Sequence, residues 1–224
     1  MAGARKMLEL EQKIHNCIKC KQVLGKAVRH YPVYAFGDPS GRPIVVVGLN
    51  PSDKEYENDH LSSGPSLDVR HNTQLHYFDD PEKVHGFFHE VERFFQGEVK
   101  EKLQWEKSPS ERVGYLDLVK CPTIPSWTDL ERAQQRQLVE NCEGYLIEQL
   151  EQYTPKMIIA YGRDVGRWFA KKLGVEYKPF EATSAPLGKR HLHLLFVPQK
   201  QGPHSEPEIL RIREEILKFL RTLR

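Results

Sequence analysis

Pro43-Ile44-Val45-Val46-Val47-Gly48-Leu49-Asn50-Pro51 is the stretch on which the fold turns. The unbroken β-branched run from Ile44 to Val47 predicts a strand covered on both faces, and such strands belong to parallel sheets flanked by helices. Gly48 to Pro51 predicts a tight turn at its carboxyl end. Beyond it, Val113 to Val119, Met157 to Tyr161 and His191 to Val197 read as three further strands. Helices are expected over Pro81 to Phe95, about Thr128 to Gln152, Arg163 to Leu173 and Pro207 to Leu223. In the first of these, Val84, Phe87, Phe88, Val91, Phe94 and Phe95 read as core. Upstream, an amphipathic helix runs from Ala4 to Cys20 and stops near Gly25, and Pro32 to Arg42 is loop. Residues 52–80 are polar and aperiodic and read as a long functional loop. The alternation predicts an α/β protein: a three-layer αβα sandwich around a central four-stranded, mostly parallel sheet.

A length of 224 residues suits one domain, with residues 1–42 as an N-terminal helix and loop and 43–224 as the αβα core. A monomer is expected. No run approaches the roughly 18 apolar residues of a membrane span, and the amino terminus lacks the apolar core of a signal peptide, so a cytoplasmic protein is expected. With 33 Lys and Arg against 31 Asp and Glu, any nucleic-acid surface has to be a local patch. Disulfides are not expected in that compartment, and the four cysteines need another role.

In open α/β sheets the loops at the carboxyl ends of the strands converge on the ligand site. Those loops carry Asn50 to Asp53, Lys120-Cys121 and Gln199 to His204. Cys17-Ile18-Lys19-Cys20 supplies a CxxC pair, and Cys121 and Cys142 complete a set of four thiols. Such a set suits either zinc or an iron–sulfur cluster, the alternative being four unrelated buried thiols.

The ordered set of these pieces resembles the uracil-DNA glycosylase superfamily, particularly its iron–sulfur branch. The pieces are the CxxC, Gly48-Leu49-Asn50-Pro51-Ser52, Tyr115 to Pro122 with its terminal Lys-Cys-Pro, Cys142 beside Glu143-Gly144-Tyr145-Leu146, and Pro155 to Gly162. The resemblance implies a structural [4Fe–4S] cluster on Cys17, Cys20, Cys121 and Cys142, with zinc as the lesser alternative. It also implies removal of an everted base from DNA by a monofunctional glycosylase.

Carried over residue by residue, the resemblance makes Asn50 the holder of the attacking water, with Asp53 as second candidate. Gly48 and Ser52 fall in the base pocket. Ser52 stands where classical uracil enzymes have a Tyr that walls off carbon 5, so a 5-substituted base is admitted. Asp117 stands where the iron–sulfur relatives usually have an Asn that reads uracil. An ionised carboxylate only accepts hydrogen bonds, which suits the exocyclic amine of cytosine better than the O4 of uracil. A protonated one would still read uracil. The expected substrate is therefore a cytosine-type base, possibly a phage hypermodified one, with an antiphage role. A conventional uracil-DNA glycosylase and a non-catalytic iron–sulfur DNA-binding protein are the alternatives. The family's His-Pro-Ser is replaced by Val197-Pro198-Gln199, leaving His204 or Gln199 to meet the departing base. Tyr77 and Phe78 are the candidate stacking rings. Lys189, Arg190 and Lys200, flanking the last strand, are the expected phosphate contacts.

Overall fold

The computed structural model describes residues 2–25, 31–52, 66–123, 126–200 and 202–223. In chain order the elements are α1 (Ala2–His15), α2 (Lys19–Leu24), β1 (Ile44–Gly48), α3 (Leu67–Leu75), α4 (Gly86–Glu92), α5 (Glu98–Leu103) and β2 (Val113–Asp117). There follow α6 (Arg132–Tyr153), β3 (Met157–Tyr161), α7 (Arg163–Leu173), β4 (Ala182–Leu187), β5 (Arg190–Val197) and α8 (Glu206–Thr222).

The sheet has five strands in the order β2-β1-β3-β5-β4. Four are parallel, and β4 closes one edge antiparallel to β5. The four-strand expectation missed β4 because Ala-Thr-Ser-Ala-Pro-Leu has little apolar content and lies half exposed, as edge strands do. Its proline is tolerated at an edge.

Alternation along each strand divides the interior in two. Val45, Val47, Leu116, Ile158, Ala160, Leu194 and Phe196 face a layer made by α1, α2, α6 and α7. Ile44, Val46, Val113, Tyr115, Met157, Ile159, Leu195 and Val197 face α4, α5 and α8. β1 and β3 are buried at every position, as their unbroken apolar runs require. Helix starts carry their own signals. Ser205 and Glu208 form a capping box at α8, and Glu131 and Gln134 form one at α6.

Several boundaries differ from expectation. The N-terminal helix breaks between His15 and Lys19, which turns the CxxC into the corner between α1 and α2. The expected 52–80 loop contains α3, capped by Ser66 and tied to α1 through a His71 to Glu11 contact. The expected helix over 81–95 is a 3₁₀ turn, then α4, then a second 3₁₀ turn.

Candidate active site

The chain runs from β1 outward to β2 and then crosses to β3 on the other side of β1. That reversal opens a crevice at the carboxyl ends of the strands. A cleft of about 840 Å³ lies there, lined by Gly48 to Ser52 from β1 and by Asp117 from β2. Tyr161 to Val165 line it from β3 and α7, and Gln199 and Lys200 from the segment after β5.

Parallel register sets Gly48 beside Asp117, and the ladder continues past both strands through Leu118 N–H to Gly48 O at 2.9 Å. Glycine at position 48 follows from this pairing, because a Cβ there would lie 2.6 Å from Asp117 Oδ1. Gly162 makes the strand-to-helix turn at φ +102, a conformation that other residues rarely adopt. The first turn of α7, Arg163 to Val165, thereby reaches the cleft.

Asp117 is 8% exposed, and its Oδ2 is buried with no hydrogen-bond partner. The nearest cation is Lys120, whose Nζ donates to the main-chain oxygen of Asp117 at 2.5 Å. Burial pushes the Asp117 carboxyl well above the usual carboxylate range, with the Lys120 charge pulling part of the way back. Asn50 lines the cleft, half-buried, and its Nδ2 donates to Pro51 O at 3.0 Å. That bond commits one N–H of the amide and leaves the amide oxygen as an acceptor for a water. Ser52 lines the same wall. Asp53 lies outside the described residues.

The other candidates divide between cleft and scaffold. Tyr77 and Phe78 do not line the cleft. They pack edge-on with Phe36, Phe88 and Tyr115 in an aromatic cluster, and the Tyr77 hydroxyl accepts from His85 N–H. The rings that do line it include Phe87, Trp127 and Tyr161. Phe87 and Tyr161 meet edge-to-face at 5.0 Å, and Phe87 lies nearest Gly48 of the three. Phe87 packs against the same core as Phe88 while also reaching the cleft, so its dual position depends on tertiary packing.

His204 is buried rather than free to swing inward. Its Nδ1 lies 2.9 Å from Glu90 Oε1 and its Nε2 lies 3.0 Å from Pro198 O, while its own N–H donates to Glu90 at 2.7 Å. It pins the Pro198 end of the segment that brings Gln199 and Lys200 to the cleft. Burial works against charge on Glu90, but the His204 N–H, the Arg93 guanidinium and the His204 ring hold its carboxyl below the usual range.

Lys189 and Arg190 sit at the turn before β5, at the opposite end of the sheet from the cleft. Arg190 donates to Leu150 O and to Pro155 O, so it caps the end of α6. Of the expected phosphate contacts, Lys200 alone is at the cleft, paired with Glu208.

Three of the cysteines, Cys20, Cys121 and Cys142, come together. Cys20 Sγ lies 3.9 Å from Cys142 Sγ, and Cys121 contacts Cys20 closely enough to help push its thiol up to about 12. Cys17 meets the Tyr145 hydroxyl on α6. Lys120 joins this region to the cleft, since its N–H donates to Cys142 Sγ at 3.5 Å. Thiol contact and burial push the Cys20 and Cys142 thiols up, and a metal is what lets such thiols ionise, so their donor chemistry fits a thiolate-bound centre. Among the described residues no group of three or more His, Cys, Asp or Glu is placed so that it could hold a metal ion.

A doubly covered sheet with an aromatic-walled cleft at its switch point defines an α/β protein that binds its ligand at the strand ends. The family is shown by a match to the uracil DNA glycosylase superfamily over residues 34–210, and the chain belongs to it. Members of that superfamily are typically DNA glycosylases. The matched span holds the whole described cleft wall together with Cys121 and Cys142, and leaves Cys17 and Cys20 outside. No curated protein matches the chain. No helix among the described residues is long and apolar enough to cross a membrane.

Proposed function

We propose that the protein is a monofunctional DNA glycosylase that takes an everted cytosine-type base into this cleft and hydrolyses its N-glycosidic bond, leaving an abasic site. The observation that carries the reading is the Asp117 carboxyl with a buried, unpartnered Oδ2 at the strand ends, beside Gly48 and Asn50. A buried polar atom without a partner is costly, by about 1–3 kcal/mol, and a base edge supplies what it lacks.

The base stacks against Phe87 and presents its Watson–Crick edge to Asp117. The small Ser52 leaves room at carbon 5, which admits 5-substituted cytosines and gives the enzyme a role in damaging invading genomes that carry them. As the glycosidic bond opens, positive charge gathers on the sugar and electron density on the base, which Gln199 and the N–H groups at the start of α7 stabilise. The water accepted by the Asn50 oxygen attacks the anomeric carbon, and its proton passes to solvent because an amide is not a base. Asp53 is the second candidate for holding that water. Hydrolysis rather than amine attack follows from the lysines: Lys200 pairs with Glu208, and Lys120 turns to main-chain oxygen.

Cys17, Cys20, Cys121 and Cys142 would hold a [4Fe–4S] cluster, which supplies a rigid link between the α1–α2 corner, the end of β2 and α6, with zinc as the lesser alternative. Metal analysis and visible absorbance of the purified protein separate the two.

The test is a panel of duplexes and single strands containing uracil, cytosine, 5-hydroxymethylcytosine or its glucosylated form, with abasic sites cleaved by alkali. Release of a 4-amino pyrimidine ahead of uracil is expected. Binding of DNA with no release from any member would overturn the glycosylase reading. A second reading, excision of uracil, is favoured by the raised proton affinity of Asp117, since a neutral carboxyl can donate to O4. Uracil released ahead of every cytosine would select it.

A further inference from the structure

Asp117 has more to do than read an edge. Its Oδ2 is shut off from solvent without a partner, and its Oδ1 lies over Gly48. Lys120, from the segment after β2, directs its ammonium to main-chain oxygen instead of the carboxyl. The other titratable or charged groups on the cleft are His85 before α4, Tyr115 on β2, Tyr161 at the end of β3, Arg163 and Asp164 on α7, and Lys200 after β5. Of these, Asp164 is engaged by Trp127 and Lys200 by Glu208. None of them reaches Oδ2.

We propose that Asp117 acts as the general acid of the reaction, delivering its proton to N3 of the departing base, and that the enzyme therefore takes bases with a ring-nitrogen lone pair beside an amino group. This deepens the glycosylase reading and rests on it. A neutral carboxyl matches cytosine on both points, its O–H donating to N3 and its carbonyl oxygen accepting from the exocyclic amine. Burial keeps that proton in place before the base arrives, because it outweighs the partial pull of the Lys120 charge, whose ammonium bonds main-chain oxygen and not the carboxyl.

The step balances without a cofactor. The O–H bond of Asp117 breaks and an N3–H bond forms. The C1′–N1 bond breaks, its electron pair stays on N1, and the base leaves neutral instead of as an anion. Water oxygen bonds to C1′ and its proton passes to solvent, and Asp117 regains one proton as the base leaves and the cleft opens to water, so the count balances. Uracil already carries hydrogen on N3 and has no in-plane lone pair there to receive the proton, so the acid helps it far less.

The experiment compares cytosine with 3-deazacytosine, in which carbon replaces N3, in otherwise identical duplexes, using the full chain under single-turnover conditions. Both are run with wild type and with Asp117→Asn. Wild type is expected to release cytosine at least ~100-fold faster than 3-deazacytosine, the lower range for a positioned general acid. Asp117→Asn should lose about the same factor on cytosine and nothing further on 3-deazacytosine, because the proton's acceptor is already absent. Unchanged melting of the variant shows that it folds. Equal release of the two bases by wild type, or full cytosine release by Asp117→Asn, overturns the inference while the glycosylase reading stands. No release of any base, uracil included, overturns both.

Discussion

Glu90 on α4 and Asp117 at the end of β2 are both carboxyl groups withdrawn from water near the same rim of the sheet, and their surroundings treat them oppositely. Glu90 takes a main-chain N–H and a ring nitrogen from His204 and a guanidinium from Arg93, and its carboxyl is held below the usual range. Asp117 has an oxygen with no partner at all, and its carboxyl is pushed up. The first corner is complete in itself and serves as scaffold. The second has bonding capacity to spare, the condition in which a site waits for something else to bind. The difference lies in what converges on each group, since both are acids at the margin of one core.

The largest expected difference between the two corners is in activity. Asn50→Ala, on the open floor, is expected to slow base release by ~100-fold or more in single turnover while DNA affinity changes by less than about threefold. Equal losses in rate and affinity would take Asn50 off the reacting water and leave the floor a binding surface only. On the closed corner the effect moves to stability. Glu90→Ala strips the partner from His204 N–H, the His204 ring and Arg93 together, and about 2–3 kcal/mol of unfolding free energy should be lost in urea titrations. Its rate, measured where the variant is folded, should stay within about tenfold of wild type.

Acidity separates the two carboxyls with opposite signs. Glu90 binds its proton less tightly when folded, so its contribution is present above its ordinary value of 4.5 and is lost as pH falls below it. Asp117 binds its proton more tightly when folded, so its contribution is complete below its ordinary value of 3.8 and drains away as pH rises through its elevated folded value. Between about pH 5 and about pH 8, the stability deficit of Glu90→Gln should therefore be flat, and the advantage of Asp117→Asn over wild type should grow. Parallel melting curves for Asp117→Asn and wild type across that range would mean that Asp117 already has a partner and is scaffold too.

How much of this was legible in the sequence follows from range. The strands β1, β2, β3 and β5, and the place of Asn50 and Asp117 at their carboxyl ends, were readable because an apolar run followed by a turn is a local signal, whereas the strand order was not. The approach of Cys20, Cys121 and Cys142 joins elements far apart in the chain, and the CxxC pattern alone does not bring Cys17 to them. Partners distant in the chain were not readable. His204 looked available because nothing nearby in sequence announces Glu90, 114 positions away. Tyr77 and Phe78 looked like loop rings because α3 and the Phe36–Tyr115 pairing beneath them are tertiary. β4 escaped because an edge strand need not be apolar.

Arg190 and Lys200 carry the same contrast to the two ends of β5, where the expected effects are smallest. Both are basic and both flank one strand, but Lys200 lies at the cleft in an exposed ion pair with Glu208, and Arg190 caps α6 at the far end. An exposed pair adds little to stability, so Lys200→Gln should leave melting unchanged. It should weaken DNA binding about two- to fivefold and reduce the slope of log affinity against log salt by about 1. Arg190→Ala removes donors to two main-chain oxygens, so about 1 kcal/mol of stability should go while the salt slope stays put. A flatter salt slope in Arg190→Ala would mean that phosphates run along both ends of the sheet. The cleft would then be one stop on a longer DNA path, and the assignment of the far rim to scaffold alone would fail.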